Sequence, residues 1–328
     1  MKDGETMAFM NAGKKPGFRK PDFSLDIYQQ KIPDKGEDAY IYGIGEEKAL
    51  AAVFDGCGGS GAKIYDNFQG KTGAYMASRV AAGAAKSWFE QLCWEKENET
   101  LAGELACFIR EYIAICAGQS GKKSGIKGSI SREFPTTAAV CACCENEGGI
   151  ECLSLWAGDS RCYVLGLSGL RQLSLDDLNV TDSMENLSRD AVLTNVISHG
   201  RSFDIHAARY RLDEPCIVFA ATDGCFGYLP TPMEFEYMLL ETLGASESVA
   251  EWEERIKSVL LEISGDDFCL CGHAYGFGSF PALKRSFRQR TAELWEKYIE
   301  NIGDKSLEEK TEMWKEYSIS YNMLLKGE

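Results

Sequence analysis

The sequence is poor in histidine, in basic charge and in long apolar runs. Its three histidines, His199, His206 and His273, are too few to form zinc sites together with clustered cysteines. The net charge of −15 argues against nucleic acid or an anionic membrane surface as a partner, because both would repel the chain. No apolar run is long enough to cross a bilayer. What remains is a globular protein whose 328 residues, 45% of them hydrophobic, can build one large core or two modest ones.

The thirteen cysteines do not have the pattern of a disulfide framework. Their number is odd, and the segment MKDGETMAFMNAGKK lacks the apolar core of a secretion signal. Most of them lie in apolar, strand-like runs such as AAVCACC and FCLCGHA, where cysteine acts as a small hydrophobe. We therefore expect reduced thiols and a cytoplasmic protein.

The order of apolar segments predicts strands around two early helices. SLDIYQQKI and AYIYGIG are strand-like and are separated by the turn sequence PDKGED, which predicts a hairpin; KALAAVF predicts a strand buried on both faces. Helical spacing predicts helices within 71–92 and 101–116. Short strands then follow, with hairpin connections at Gly148–Gly149 and Ser168–Gly169, before the strand CIVFAATDG, a helix near 246–263 and a last strand in SGDDFCLCGHAYGF.

Three regions are expected along the chain. Residues 1–23 are polar and predict a flexible arm, residues 24–278 predict the main domain, and residues 281–328 predict a helical C-terminal extension. The extension has two amphipathic segments, and the second opens with Ser306 and Glu309 at capping-box spacing. We expect these helices to pack on the main domain; binding a protein partner is the alternative.

Four aspartates share one sequence context. Asp55, Asp159, Asp223 and Asp266 each end or adjoin an apolar strand and stand beside glycine, in VFDGCGG, WAGDSR, AATDGC and SGDDF. An unpaired carboxylate at the mouth of a core is costly unless a cation neutralises it, so the pattern predicts that they converge on Mg²⁺ or Mn²⁺. The glycines after Asp55 would let a backbone carbonyl approach the metal. The alternative is four ordinary turns, because Asp-Gly is a common turn dipeptide.

The motifs also resemble a known family. GEDAY, FDGCGG, PTTAAV, AGDSR, VLTNVIS, FAATDG and GDDFCLC occur in the order found in the metal-dependent protein phosphatases of the PPM (type 2C) family, bacterial-type members included, over about residues 24–275. The resemblance implies an α/β (α+β) domain built as a four-layer α-β-β-α sandwich with two central antiparallel sheets, here followed by C-terminal helices. It also implies metals at one edge of the sheets.

The resemblance implies a set of metal ligands, which are Glu37, Asp38, Asp55, Gly56, Asp159, Asp223 and Asp266. Asp55 would bridge two Mn²⁺ or Mg²⁺ ions, and the carbonyl of Gly56 would ligate one of them. Asp159 would help to hold a weaker third ion. In GDDF the family's ligand is the first of the two acids, which selects Asp266 over Asp267.

The implied reaction is hydrolysis of phosphoserine and phosphothreonine in proteins, by a hydroxide that bridges the two metals. Asp38 and Asp55 would be catalytic. Three positions depart from the better-known members: Cys57 stands where many have a proton-donating His, Pro33 where an Arg holds the phosphate, and Gly227 where an Asp assists the third metal.

These departures predict a slow, Mn²⁺-preferring enzyme. Lys31 or Lys35 would supply the positive charge that is missing at Pro33, and Lys35 is predicted to be a catalytic residue. One alternative is a pseudophosphatase that acts as a partner-binding regulatory module. Another is a di-metal hydrolase that acts on a small phosphoester. The resemblance also places residues 176–195 in the family's flap region, beside the metal edge.

Overall fold

A computed structural model describes residues 7–10, 20–121, 132–146, 149–179 and 192–326. The strands in these ranges are β1 (Met7–Met10), β2 (Phe23–Gln29), β3 (Ala39–Ile44), β4 (Lys48–Phe54), β5 (Ile64–Tyr65), β6 (Lys71–Thr72), β7 (Glu133–Thr136), β8 (Ala138–Asn146), β9 (Gly149–Ala157), β10 (Arg161–Gly166), β11 (Gly169–Gln172), β12 (Ile197–His199), β13 (His206–Leu212), β14 (Cys216–Ala221) and β15 (Phe268–Tyr275).

The α-helices in the same ranges are Gly58–Gly61, Gly73–Glu90, Asn98–Gln119, Asp223–Phe226, Pro232–Ala245, Val249–Ile263, Phe280–Ser286, Arg288–Leu294 and Leu307–Tyr321. A π-helical turn, Trp295–Ile299, continues the helix that begins at Arg288. None of the helices in the described ranges combines the length and the apolar character needed to cross a membrane.

The larger strands form two sheets. One has the order β1-β3-β4-β8-β9-β13 and the other the order β11-β10-β14-β15-β2. Apart from the parallel pair β1–β3, neighbouring strands in both sheets run antiparallel. The end of one strand therefore lies beside the start of the next, so residues far apart in sequence meet at the same sheet edge.

Three hydrophobic clusters define the layers. One lies between the two sheets, one covers the outer face of the first sheet with the helices Gly73–Glu90 and Asn98–Gln119, and one covers the second sheet with the helices from Pro232 onward. The four-layer α-β-β-α sandwich predicted from the sequence is confirmed.

The layer between the sheets explains much of the cysteine content. Seven cysteines belong to this cluster, namely Cys141, Cys143, Cys152, Cys162, Cys216, Cys269 and Cys271. All thirteen cysteines lie in the described ranges, and none forms a disulfide. Small thiols alternate here with alanine and valine, which allows two sheets to approach closely.

The predicted hairpin between residues 24–32 and 39–45 is wrong. β2 pairs with β15 in one sheet, whereas β3 pairs with β4 in the other. The turn sequence 33–38 therefore crosses from sheet to sheet, and it carries Glu37 and Asp38 along the edge of the sandwich. Strand patterning predicted both strands but not their partners, because alternation does not encode which neighbour supplies the hydrogen bonds.

The two ends of the chain are more integrated than composition suggests. Within the arm predicted over residues 1–23, Met7–Met10 pairs in parallel with Ile41–Ile44, so this part is an edge strand rather than a loose segment; residues 1–6 and 11–19 lie outside the described residues. At the other end, Phe287, Leu294, Trp314, Tyr317 and Tyr321 are buried in the core cluster of the second sheet. The C-terminal helices thus pack on the main domain, as expected.

Candidate active site

Strand ends bring the predicted acids to one edge of the sandwich. Asp55 follows β4, Asp159 lies just after β9, Asp223 lies just after β14, and Asp266 shortly precedes β15. Because Ala39 pairs with Phe54, Asp38 at the start of β3 lies beside Asp55. We call these five aspartates the acidic edge.

Asp55 stands at the centre of the acidic edge. Burial raises the pKa of its carboxyl well above the usual range, and the charges of Asp38, Asp223, Asp159 and Asp266 raise it further. The side chain of Asp223 is close enough to that of Asp55 for a hydrogen bond between them. The convergence expected from the sequence therefore exists as a group of mutually repelling carboxylates.

Asp38 is held from behind by one hydroxyl. The residue is 3% exposed, and the Oγ1 of Thr222 donates a hydrogen bond of 2.7 Å to its Oδ2. Burial raises its pKa well above the ordinary value, against the lowering effect of this bond, and Asp223 adds repulsion. Thr222 in turn receives a bond from the backbone of Cys269, so the neighbouring strands β14 and β15 fix the position of Asp38.

Asp159 and Asp223 have raised pKa values that lie between pH 5 and pH 9. Burial, followed by the charge of Asp223, raises the pKa of Asp159 to about 8. Burial, followed by the charge of Asp266, raises the pKa of Asp223 to about 6. The Oδ1 atom of Asp159 is buried and has no hydrogen-bond partner among the described residues.

The consecutive acids Asp266 and Asp267 have different surroundings. The carboxylate of Asp267 accepts hydrogen bonds of 2.8 Å and 2.7 Å from the backbone nitrogens of Lys31 and Glu37, and so anchors the segment that crosses between the sheets. Asp266 is exposed beside the other aspartates. Asp266 is therefore the more accessible of the two acids, and its role as a ligand stays a prediction.

Glu37 is positioned by a threonine. The Oγ1 of Thr72 donates a hydrogen bond to Oε1 of Glu37. Burial raises the pKa of Glu37, Thr72 lowers it, and the charges of Asp267 and Asp266 raise it. Glu37 therefore belongs to the same electrostatic group.

Two of the glycines after Asp55, Gly56 and Gly58, are required by the packing of the protein itself. A Cβ atom on Gly56 would lie 2.6 Å from the carbonyl oxygen of Ala74 and 2.8 Å from that of Glu37, and one on Gly58 would collide with the Glu37 carboxylate. Tight packing within the protein is thus sufficient to explain these glycines without a metal. The carbonyl of Gly56 lies beside Asp55, where a cation could also reach it.

A cleft of about 640 Å³ opens at this edge. Its lining includes Glu37, Asp55, Asp266 and Asp267, and one positively charged side chain among the described residues, Arg132. The two lysines considered from the sequence do not line it. Lys31 is exposed and donates to the carbonyl of Gly265, and Lys35 is exposed on the crossing turn.

The three departures from the family pattern take different positions. Cys57 lines the cleft, but burial and the charge of Asp55 raise the pKa of its thiol well above the usual value. A protonated thiol is a poor nucleophile. Pro33 is exposed on the crossing turn, and Gly227 is exposed one helical turn after Asp223, whose carbonyl accepts from the Gly227 nitrogen at 2.6 Å.

The predicted flap is described at its two ends only. Val192 and Leu193 line the cleft, and Asp177 accepts a hydrogen bond from the backbone of Gly158 beside Asp159. Residues 180–191 lie outside the described residues.

The donor chemistry of the edge fits a hard divalent cation. Within the part of the chain that the structure describes, no group of three or more His, Cys, Asp or Glu side chains is arranged to hold an ion as it stands. The side chains of the acidic edge nevertheless offer oxygen donors alone, which Mg²⁺ and Mn²⁺ prefer. The orphaned Oδ1 of Asp159 would gain a partner, and the repulsion that raises the pKa of Asp55 would be cancelled.

Comparison with known proteins identifies the fold. No known family model and no curated protein matches the sequence. Among solved structures, the Mycobacterium tuberculosis serine/threonine phosphatase PstP/Ppp is 18% identical with a TM-score of 0.52, over 77% of this chain and 97% of that one. The Staphylococcus aureus serine/threonine phosphatase Stp1 is 16% identical with a TM-score of 0.56, over 77% and 94%.

A third similar structure is a sex-determining protein of C. elegans, 16% identical with a TM-score of 0.59 over 81% of this chain and 67% of that one. At these identities the comparison defines architecture. The chain has the fold of these two serine/threonine phosphatases, and the resemblance to the PPM type stated from the sequence is confirmed at the level of the fold.

Three residues of the site were not singled out from the sequence. Thr222 directly precedes a predicted ligand in AATDG, and a hydroxyl beside a buried acid was the available signal. Asp267 is the second acid of its pair and is not a predicted metal ligand, yet it anchors the crossing segment. Arg132 belongs to none of the motifs, so nothing in the sequence indicates that it lines the cleft.

Proposed function

We propose that the protein is a metal-dependent protein phosphatase that hydrolyses phosphoserine and phosphothreonine and uses two Mn²⁺ or Mg²⁺ ions, with a weaker third near Asp159. The observation that carries the proposal is the acidic edge: five carboxylates at the ends of separate strands, where burial and the charges of its four neighbours raise the pKa of the central Asp55, next to a cleft in a phosphatase fold. Such an arrangement is costly for folding and is explained if it serves a ligand.

The residues divide by position. Asp55, Asp223, Asp266 and the Gly56 carbonyl would hold the ions directly, with Glu37 and Asp38 acting directly or through water. When bound, the ions would lower the pKa of water and neutralise charge on the phosphate. Thr222 and Thr72 orient Asp38 and Glu37, as their hydrogen bonds indicate.

Water is the nucleophile that this cleft favours. Among the described residues that line the cleft, one has a thiol and one a hydroxyl: burial and the charge of Asp55 raise the pKa of the Cys57 thiol well above its usual value, and the hydroxyl of Ser60 donates to the carbonyl of Cys57 at 3.4 Å. The phosphoryl group would therefore pass to water without a covalent enzyme intermediate, giving the free hydroxyl of the substrate and inorganic phosphate.

The test is turnover of a phosphothreonine peptide by the purified protein with Mn²⁺, with Mg²⁺ and with EDTA. We expect activity with Mn²⁺ and none with the chelator; equal rates in both would reject the proposal. A phenyl phosphate ester and small metabolite phosphoesters, assayed in parallel, distinguish a protein phosphatase from a di-metal hydrolase of small substrates.

Pro33, Cys57 and Gly227 favour a second candidate, a pseudophosphatase that binds a protein partner through its surface or its C-terminal helices. Titration of Mn²⁺ by calorimetry separates the two, because a catalytic site must bind the ion and lose binding in Asp55→Asn. Binding without turnover of any peptide would favour the second candidate.

A further inference from the structure

Arg132 has a distinct position in the cleft. It lies immediately before β7, and its backbone nitrogen donates a hydrogen bond of 3.1 Å to the carbonyl of Ser60. The same strand end is tied to the turn after Asp55, because the Cys57 nitrogen donates to the carbonyl of Pro135 at 3.2 Å and Gly56 bridges to Thr136. The base of the Arg132 side chain is therefore fixed beside the acidic edge.

The guanidinium is available to a ligand. No hydrogen bond or ion pair of this group is formed with any residue in the described ranges, while the carboxylate of its chain neighbour Glu133 pairs with Lys63 at 3.6 Å and His199 at 3.4 Å. The Glu133 carboxylate is therefore engaged with Lys63 and His199. Arg132 contributes its positive charge to the cleft itself.

An acidic cleft needs a cationic group to receive a phosphate. Pro33 carries no charge, the ammonium of Lys31 is engaged with Gly265, and Lys35 does not line the cleft. A guanidinium presents two parallel donors that match two phosphate oxygens, which an ammonium cannot do. Arg132 is therefore placed to perform this role from the side of β7.

We propose that Arg132 binds the phosphate of the substrate phosphoprotein, and of inorganic phosphate as product, at the mouth of the acidic edge. The assignment rests on the proposed function for its substrate class. It replaces the sequence-based expectation that Lys31 or Lys35 supplies this charge.

The experiment compares wild-type protein, Arg132→Gln, Arg132→Lys and the control Arg255→Gln, an exposed arginine that pairs with Glu251 on the helix Val249–Ile263 and does not line the cleft. In the Mn²⁺-loaded protein, loss of a charge-assisted pair of hydrogen bonds should raise KM for the phosphopeptide, and the inhibition constant of inorganic phosphate, by roughly 10- to 100-fold. Arg132→Lys should fall in between, and Arg255→Gln should match the wild type.

Two further measurements separate this role from its alternatives. Mn²⁺ affinity, measured by calorimetry, should not fall in Arg132→Gln. If KM and phosphate inhibition stay within twofold of the wild type while Mn²⁺ binds more tightly, Arg132 merely balances the carboxylates and the assignment is wrong. If the wild type turns over no peptide but calorimetry shows phosphate binding that Arg132→Gln abolishes, the proposed function fails and the assignment of Arg132 stands.

Discussion

The carboxylate of Glu236, under the C-terminal helices, and those of the acidic edge have opposite electrostatic surroundings. Under the C-terminal helices, Glu236 is fully buried, and Arg290 donates to both of its oxygens at 2.7 Å and 2.9 Å while the hydroxyl of Tyr317 donates at 2.6 Å. At the acidic edge, Asp55 has four other aspartates as its electrostatic neighbours. One carboxylate is compensated and the other is not.

The difference separates a structural acid from a functional one. Glu236 lies on the helix Pro232–Ala245 and binds Arg290 and Tyr317 on two helices of the extension, so its carboxylate holds the extension in place. At the acidic edge, burial and the charges of the neighbouring aspartates raise the pKa of Asp38 and of Asp55. Burial alone is therefore a poor guide to function; burial without a counter-charge is a better one.

The largest effect should come from removing the central carboxylate. Asp55→Asn should lower turnover of a phosphothreonine peptide by on the order of 10³-fold, because the charge that would organise both ions is lost. Turnover with Mn²⁺ is the measurement, and circular dichroism verifies the fold. The control is Asp213→Asn, an exposed acid that follows β13 at the opposite strand ends. Retention of more than a tenth of the wild-type rate would place the chemistry elsewhere.

Breaking the compensated carboxylate should have the reverse result. Arg290→Met leaves the Glu236 charge buried with Tyr317 alone and should reduce the free energy of unfolding by about 3–5 kcal/mol. The activity of the folded molecules should remain near that of the wild type. Urea unfolding with a parallel rate assay measures both quantities.

The control for that experiment is Arg285→Met, an exposed arginine of the same extension, which should change stability by less than about 0.5 kcal/mol. Adding Glu236→Gln to Arg290→Met should restore part of the loss, since no unpaired charge then remains. If Arg290→Met lowered the activity while the free energy of unfolding stayed unchanged, the two regions would not be separate.

The comparison also shows what the sequence could reveal. An aspartate and a glycine at the end of an apolar run predicted that Asp55 and Asp223 each lie just after a strand. The partner of β2 could not be predicted, since alternation specifies a buried face and not a neighbour. The helix Pro232–Ala245 has no counterpart among the predicted elements, because it is buried on most faces and lacks a polar stripe.

Arg132 and Glu236 illustrate the same limit for charges. Neither residue stands in a distinctive sequence pattern, and each acquires its role from residues distant in the chain, Ser60 in one case and Arg290 in the other. Sequence motifs locate acids at strand ends, but they do not tell which of those acids will meet a counter-charge.

A smaller effect should separate the two regions by pH. The pKa of Asp159 is raised to about 8 and that of Asp223 to about 6, so the metal-free folded state binds protons that the unfolded chain releases near pH 4. Stability should therefore fall as pH rises from about 4 to 8. In EDTA, Asp159→Asn should remove about 1–3 kcal/mol of the loss between pH 6 and pH 8.

Urea unfolding at these two pH values measures the effect, and saturating Mn²⁺ should abolish it in the wild type by neutralising the edge. Asp213→Asn serves again as the control, because its side chain is 67% exposed and should keep the wild-type slope. If the stability of Asp159→Asn and of the wild type changed equally with pH, ionisation of Asp159 would cost no stability. That result would contradict the expectation from its buried Oδ1 atom, which has no hydrogen-bond partner among the described residues.

The smallest effect concerns the link between the regions. The Oγ of Ser306 accepts from the Glu309 nitrogen, and the Glu309 carboxylate accepts from the Ser306 nitrogen at 2.8 Å, which caps the helix that carries Tyr317 and Tyr321. Ser306→Ala should cost about 1 kcal/mol of stability, while Ser318→Ala on the same helix should cost less.

A chain of contacts leads from this helix towards the acidic edge. The hydroxyl of Tyr321 donates to that of Tyr163, and Arg161, two residues after Asp159, also donates to the Tyr163 hydroxyl. If Ser306→Ala lowers Mn²⁺ affinity as well as stability, this chain of contacts couples the compensated region to the acidic edge; unchanged affinity, which we expect, means that the extension stabilises the fold without setting the site.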